Sequence, residues 1–152
     1  MTDDHHARPD GATDDTVAAV GKVSEALEWI ERARGSLYDF HQQMGHADQL
    51  LGEAADALEA AGHPAHAADL RTRIVGRNVI DGRWSFQIVE EFDDLYWSAA
   101  RDSERRIRDE LMAGRRHVFE SEMKDQRRTV GRAHHERRPP TAHDPEVTSL
   151  DD

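Results

Sequence analysis

The sequence predicts an all-α protein: a long antiparallel helical hairpin or coiled-coil-like bundle with a short connecting helix and disordered termini. Three observations predict it. Apolar residues recur at threes and fours from Val20 to Ala61, the spacing of one helix face. Gly62 and Pro64 stand where such a face would stop. Opposite charges then recur four apart, as in Asp102/Arg106, Glu104/Arg108, Arg105/Asp109 and Arg106/Glu110, which supports a solvated helix.

Residues 1–12, "MTDDHHARPDGA", have no apolar periodicity and read as a disordered leader. Thr13, Asp14 and Asp15 supply N-cap and first-turn chemistry for a helix over about 14–61. Its seam is Val20, Val23, Leu27, Ile30, Ala33, Leu37, Phe40, Met44, Ala47, Leu51, Ala54, Leu58 and Ala61. The steps alternate three and four except for one 3-3 step at Ala33, beside Gly35-Ser36, where the helix has a natural place to break. Gly45 and Gly52, seven apart, suit a close helix crossing.

Pro64 opens a short helix over about 64–75, closed by Gly76. Residues 73–89 are ambiguous. Asp81-Gly82 suits a hairpin turn, yet Ser85 suits the cap of a helix whose seam begins Val89, Phe92, Tyr96. The helix is preferred, because an isolated hairpin is marginal in water, and it runs over about 85–128. Residues 129–152 read as a disordered tail. The whole of 13–128 is thus one helical domain, which fits a chain of 152 residues.

Composition narrows the chemistry. There is no cysteine, hence no disulfide, thiolate metal site or cysteine nucleophile. No apolar stretch has the length of a membrane span, and no signal peptide is visible, so the default location is the cytoplasm. The net charge of −11 argues against general nucleic-acid binding. The basic stretch "KDQRRTVGRAHHERRPP" is the best candidate for contact with nucleic acid or an acidic partner, but it has no aromatic residue to stack a base.

Residues 85–99, "SFQIVEEFDDLYWSA", carry the one dense acidic cluster: Glu90, Glu91, Asp93 and Asp94. In an antiparallel hairpin turning near residue 73, Glu91 lies opposite residue 56 or so and Asp94 opposite residue 53 or so. Glu53, Asp56, Glu90 and Asp94 would then form an all-oxygen site for a divalent cation. The preferred alternative needs no cofactor. Arg71, Arg73, Arg77 and Arg83 stand close in sequence and suit bidentate pairing with the same carboxylates, as an ion-paired elbow. Among histidines, His41, His46, His63, His66 and His117 form no Glu-x-x-His pair, so a histidine metal site has little support. Neither a nucleophile motif nor a phosphate loop is present, which points away from an enzyme.

The first helix carries more seam than one partner helix covers. That surplus points to a second copy of the chain, and so to a self-associating interaction or scaffold protein whose further protein partner is unknown. The assembly seam is Val20, Val23, Leu27, Ile30, Leu37, Phe40, Met44, Leu51 and Leu58, with Val89, Phe92 and Tyr96 against it in the same chain.

Overall fold

A computed structural model of the chain describes residues 5–138. Their regular structure is wholly helical: α1 Asp14–Ala60, α2 Pro64–Arg73, α3 Ser85–Phe92, a π-helical segment Asp93–Trp97, α4 Ser98–Met112 and α5 Val118–Arg127. The fold is all-α, as the periodicity predicts. None of these helices is long and apolar enough to cross a membrane.

α1 runs unbroken through Gly35. It ends where the sequence says it should. Gly62 takes φ +87°, a conformation costly for any residue with a Cβ, and His63 N–H then reaches back to the Leu58 carbonyl at 2.8 Å. Pro64 starts α2 at once. At residues 80–85 the turn at Asp81-Gly82 forms without flanking strands among the described residues, and the helix is the reading that holds. A tight turn pairs Ile80 with Arg83, and a helix begins at Ser85. Ser85 is not its cap, however. The Gln87 side chain accepts the Trp84 N–H at 2.8 Å, which leaves the Ser85 hydroxyl free to turn inward.

The expected single helix over 85–128 is interrupted twice. At 93–97 it widens into the π segment. At 113–117 it stops, because Gly114 adopts φ +73° and both its backbone groups bind Arg108: its N–H reaches the Arg108 carbonyl at 3.1 Å, and its carbonyl accepts from the guanidinium at 2.7 Å.

Two compact units emerge. One comprises the described residues up to Leu27 together with those from Arg101 onward; the other is Glu28–Ala100. In the first, Val17, Val20, Met112 and Val118 form a closed apolar cluster, with Ala12 and Ile107 packed on it. Phe119 lies against Gly21, where an added Cβ would come within 3.0 Å of the phenylalanine Cβ. Glu104, only 8% exposed, is satisfied by Ser24 Oγ at 3.1 Å and Arg108 Nε at 3.0 Å.

Residues 1–4 of the expected leader and 139–152 of the expected tail lie outside the described residues. The described part of each, residues 5–12 and 129–138, makes a few polar contacts. Arg8 makes a bidentate pair with Glu122, at 2.8 and 3.0 Å, and also holds Asp14 at 2.7 Å. Arg115 donates to the Ala7 carbonyl at 2.9 Å. Past α5, Thr129 N–H bonds His135 Nδ1, and Arg128 and Arg137 both approach Asp125, which lowers its carboxyl pKa chiefly through the Arg128 hydrogen bond. A polar segment without apolar periodicity can thus be fixed by a few charged hydrogen bonds, which periodicity does not register.

Candidate functional site

Within Glu28–Ala100 five contacts between segments distant in sequence set the register. Glu31 meets Trp97, Arg34 meets Asp93, His41 meets Ser85, Asp48 meets Gly76 and Asp56 meets Arg71. As the first number rises the second falls, so the segments are antiparallel and turn about the Gly62–His63 corner.

That corner overturns the expected turn near residue 73. Glu91 and Asp94 lie at the level of Ser36 and Ala33, not of Asp56 and Glu53. The two halves of the supposed cation site are about 20 residues apart along α1, or ~30 Å at 1.5 Å per residue. Asp56 instead takes a hydrogen bond from Arg71 at 2.7 Å, and Arg71 also reaches Glu59 at 2.8 Å. Glu53 accepts from Gln49 at 3.1 Å. Glu90 and Asp94 are exposed and make no ion pair among the described residues.

The arginine elbow forms only in part. Arg83 pairs with Glu91 as expected, whereas Arg71 turns to the end of α1 and Arg73 to Asp69. Arg77 finds no acid among the described residues. Asp93 is claimed from α1. Arg34 grips it with two hydrogen bonds, at 2.7 and 3.0 Å, and stacks 3.9 Å from the Trp97 ring centroid. The guanidinium holds the Asp93 carboxyl below its usual range, and Asp93 in turn raises Arg34. Trp97 donates its indole N–H to Glu31 at 2.8 Å.

This hub sits on the π segment, where the Asp93 carbonyl accepts from the Ser98 hydroxyl. A π turn inserts a residue into the helical phase, and such turns recur at functional sites. Leu95 and Tyr96 end up 64% and 60% exposed, so Tyr96 is not the seam residue expected. Phe92 remains half-buried with Tyr96 stacked on it, and Val89 is buried.

The larger correction concerns α1. Val20 is buried, and Val23, Leu27, Ile30, Leu37, Met44, Leu51 and Leu58 are half-buried, as a seam requires. Ala33, Phe40 and Ala54 are exposed. Their places are taken by Arg34, His41 and Ala55, with Asp48 beside Ala47. The covered series 27, 30, 34, 37, 41, 44, 48, 51, 55, 58 alternates threes and fours without the 3-3 step. The apparent stammer arises from following apolar residues where the seam uses polar ones. Each polar member has its own partner: Asp93 for Arg34, the Ser85 hydroxyl at 2.8 Å for His41 Nδ1, the Gly76 N–H at 2.8 Å for Asp48. The missed signal was the stammer itself, with 34, 41, 48 and 55 at strict seven-residue spacing.

The displaced residues create a second stripe, rotated about 100° from the seam. It runs Trp29, Ala33, Ser36, Phe40, Gln43, Ala47, Leu50, Ala54, Ala57, Ala61, again in alternating fours and threes and without a single charge. Trp29 is 60% and Leu50 48% exposed. Gly35, Gly45 and Gly52 lie off this stripe and have open space around them, so the close crossing expected at Gly45 and Gly52 does not occur within the chain.

His46, His63 and His66 are exposed on α1 and at the α2 corner, and none joins a metal-binding group within this unit. Comparison with protein-family models, with curated proteins and with solved structures finds no match to the chain.

Proposed function

We propose that this is a non-enzymatic, cytoplasmic helical scaffold that self-associates through α1, with its hairpin-like 28–100 unit presenting the contact face. One observation carries the reading: among the described residues the uncharged stripe from Trp29 to Ala61 is exposed at every position but the half-buried Ala47. All nine charged residues of 28–60 fall elsewhere on α1. A surface helix normally spreads charge over its solvent side, and a neutral stripe of this periodicity is what a coiled-coil partner needs.

A second copy suits it better than an unlike protein. The stripe holds three large knobs, Trp29, Phe40 and Leu50, separated by Ala33, Ser36, Gln43 and Ala47, so the small positions of one chain can receive the large ones of the other. Its span of about four heptads reaches the three to four that sustain a coiled coil. The absence of charge removes like-charge repulsion from a symmetric pair in a chain of net charge −11.

Sedimentation equilibrium on the full chain tests this, with Trp29→Glu/Leu50→Glu as the variant. The wild type is expected to be a dimer at micromolar concentration. The double variant should be monomeric with unchanged helical circular dichroism. A wild type that stays monomeric to about 100 µM, weaker than the ~5.5 kcal/mol such a midpoint represents, ends the reading.

A further inference from the structure

The antiparallel register puts residues 74–84 beside the stretch of α1 from Met44 to Leu51, and there the second helix is missing. α2 ends at Arg73 and α3 begins at Ser85. The chain between them crosses as an irregular loop whose one regular feature is the turn pairing Ile80 with Arg83. A loop fills less of the space beside α1 than a helix would. What remains is a groove of about 450 Å³, within the range of small-molecule sites.

Its apolar lining comes from both sides: Met44, Ala47 and Leu51 on α1, Ile74, Val79 and Trp84 on the loop. The walls are held by hydrogen bonds that converge on the two backbone groups of one residue, Gly76. Asp48 accepts the Gly76 N–H at 2.8 Å, and the Trp84 indole donates to the Gly76 carbonyl at 3.2 Å. Ser85, also at the groove, is buried against His41. These polar groups are therefore occupied in shaping the site.

Arg77 is not. It lines the groove, yet its one hydrogen bond among the described residues is a long one, 3.4 Å, to the Arg73 carbonyl. Arg71, Arg73 and Arg83 each hold a carboxylate. Arg77 alone of these four connector arginines has none among the described residues, in a unit where Asp48, its neighbour in the groove, already serves the Gly76 amide. Asn78 stands next to it on the same lining, its side-chain amide without a hydrogen bond among the described residues. A guanidinium and a carboxamide at an apolar cleft offer planar N–H donors to a carboxylate.

We propose that this groove binds a small organic acid: an aromatic or branched-aliphatic body of about a dozen heavy atoms, seated against Met44, Leu51 and the Trp84 ring, with its carboxylate on Arg77. The apolar walls supply most of the contact, and Arg77 supplies the selection for a negative charge. Asp48 limits the alternative, since a cationic ligand would have to compete with the Gly76 amide for its carboxylate.

The probes are 4-phenylbutyrate, its uncharged amide and 4-phenylbutylamine, which share a body and differ in charge. Each is titrated into ¹⁵N-labelled full-length protein at constant pH and salt, following the Trp84 indole resonance, assigned by its loss in Trp84→Phe. The acid should shift that resonance with Kd in the millimolar range or tighter, as suits a ligand of about a dozen atoms, and about tenfold more tightly than the amide or the amine. In Arg77→Gln, which gives up only the long hydrogen bond to the Arg73 carbonyl among the described residues, the acid should fall to the affinity of the amide, while amide binding stays as it was. Equal binding of the three probes overturns the proposal. So does an acid preference that survives Arg77→Gln, and so does an indole resonance unmoved by the acid at about 10 mM.

Discussion

The unit made from the two ends of the chain closes on apolar side chains, whereas Glu28–Ala100 closes on polar ones. In the first, Val17, Val20, Met112 and Val118 are all buried, Met112 to 1% exposure. In the second the buried residues are Ala55, Ala67, Ser85 and Val89, none of them large. Its specific contacts between distant segments are Arg34 with Asp93, His41 with Ser85, Asp48 with Gly76 and Trp97 with Glu31. Several large apolar residues of this unit, Trp29, Leu50, Leu95 and Tyr96 among them, face outward, and Ile30, Leu37, Met44, Leu51 and Leu58 are only half-buried. Apolar burial is the main source of folding free energy, while hydrogen bonds give modest net stability and fix geometry. One unit therefore stabilises itself. The other is set in register by its polar pairs and leaves large apolar residues exposed.

Core truncation sharpens that contrast most. Met112→Ala should cost about 2–5 kcal/mol in urea-induced unfolding, the usual range for emptying a closed apolar site. Leu51→Ala, from a half-buried seam position, should cost less than about 2 kcal/mol, since part of its surface already meets water. Equal costs would break the contrast.

Glycines probe the same difference from the side of packing. Gly21→Ala drives a methyl to within 3.0 Å of the Phe119 Cβ and should destabilise by about 1–3 kcal/mol. Gly45→Ala and Gly52→Ala meet nothing and remove a helix-weakening residue, so each should add up to ~1 kcal/mol. Thermal melts of the three variants decide it. A loss at Gly45 or Gly52 would mean that another chain packs there.

The smallest effect is electrostatic. Asp93 has its pKa lowered by Arg34, so the folded state binds its proton less readily than the unfolded chain does. Its contribution is present above the unfolded value of about 3.9 and is lost as pH falls through the lower folded value. Asp93→Asn should therefore be less stable than wild type at pH 7, and the gap should close in urea titrations taken toward pH 2. A gap that persists there would assign the role to packing of the π segment rather than to the charge.

The ends of the elements were legible in the sequence because local chemistry sets them: Gly62 and Pro64 at the α1–α2 corner, Asp81-Gly82 at the turn. The π segment at 93–97 and the stop at 113–117 were not. The first carries contacts from Arg34 and Glu31, far away in sequence, and at the second Arg108 binds both backbone groups of Gly114. The candidate cation site failed on register alone. A hairpin turned ten residues too late brings Glu53 and Asp56 level with Glu90 and Asp94 on paper, and the Gly62 corner separates them.

By itself the sequence determined the helical class, the long first helix and the surplus of apolar surface along it, since each rests on periodicity and on local backbone preference. Tertiary structure decided which of two neighbouring stripes on α1 is covered. Periodicity ranks the apolar stripe first, because it counts side chains one at a time. The fold covers Arg34, His41 and Asp48 because Asp93, Ser85 and Gly76 satisfy them, and a polar group with a partner can occupy a seam that it could not occupy alone. The stripe of Trp29, Phe40 and Leu50 is left facing outward as a consequence.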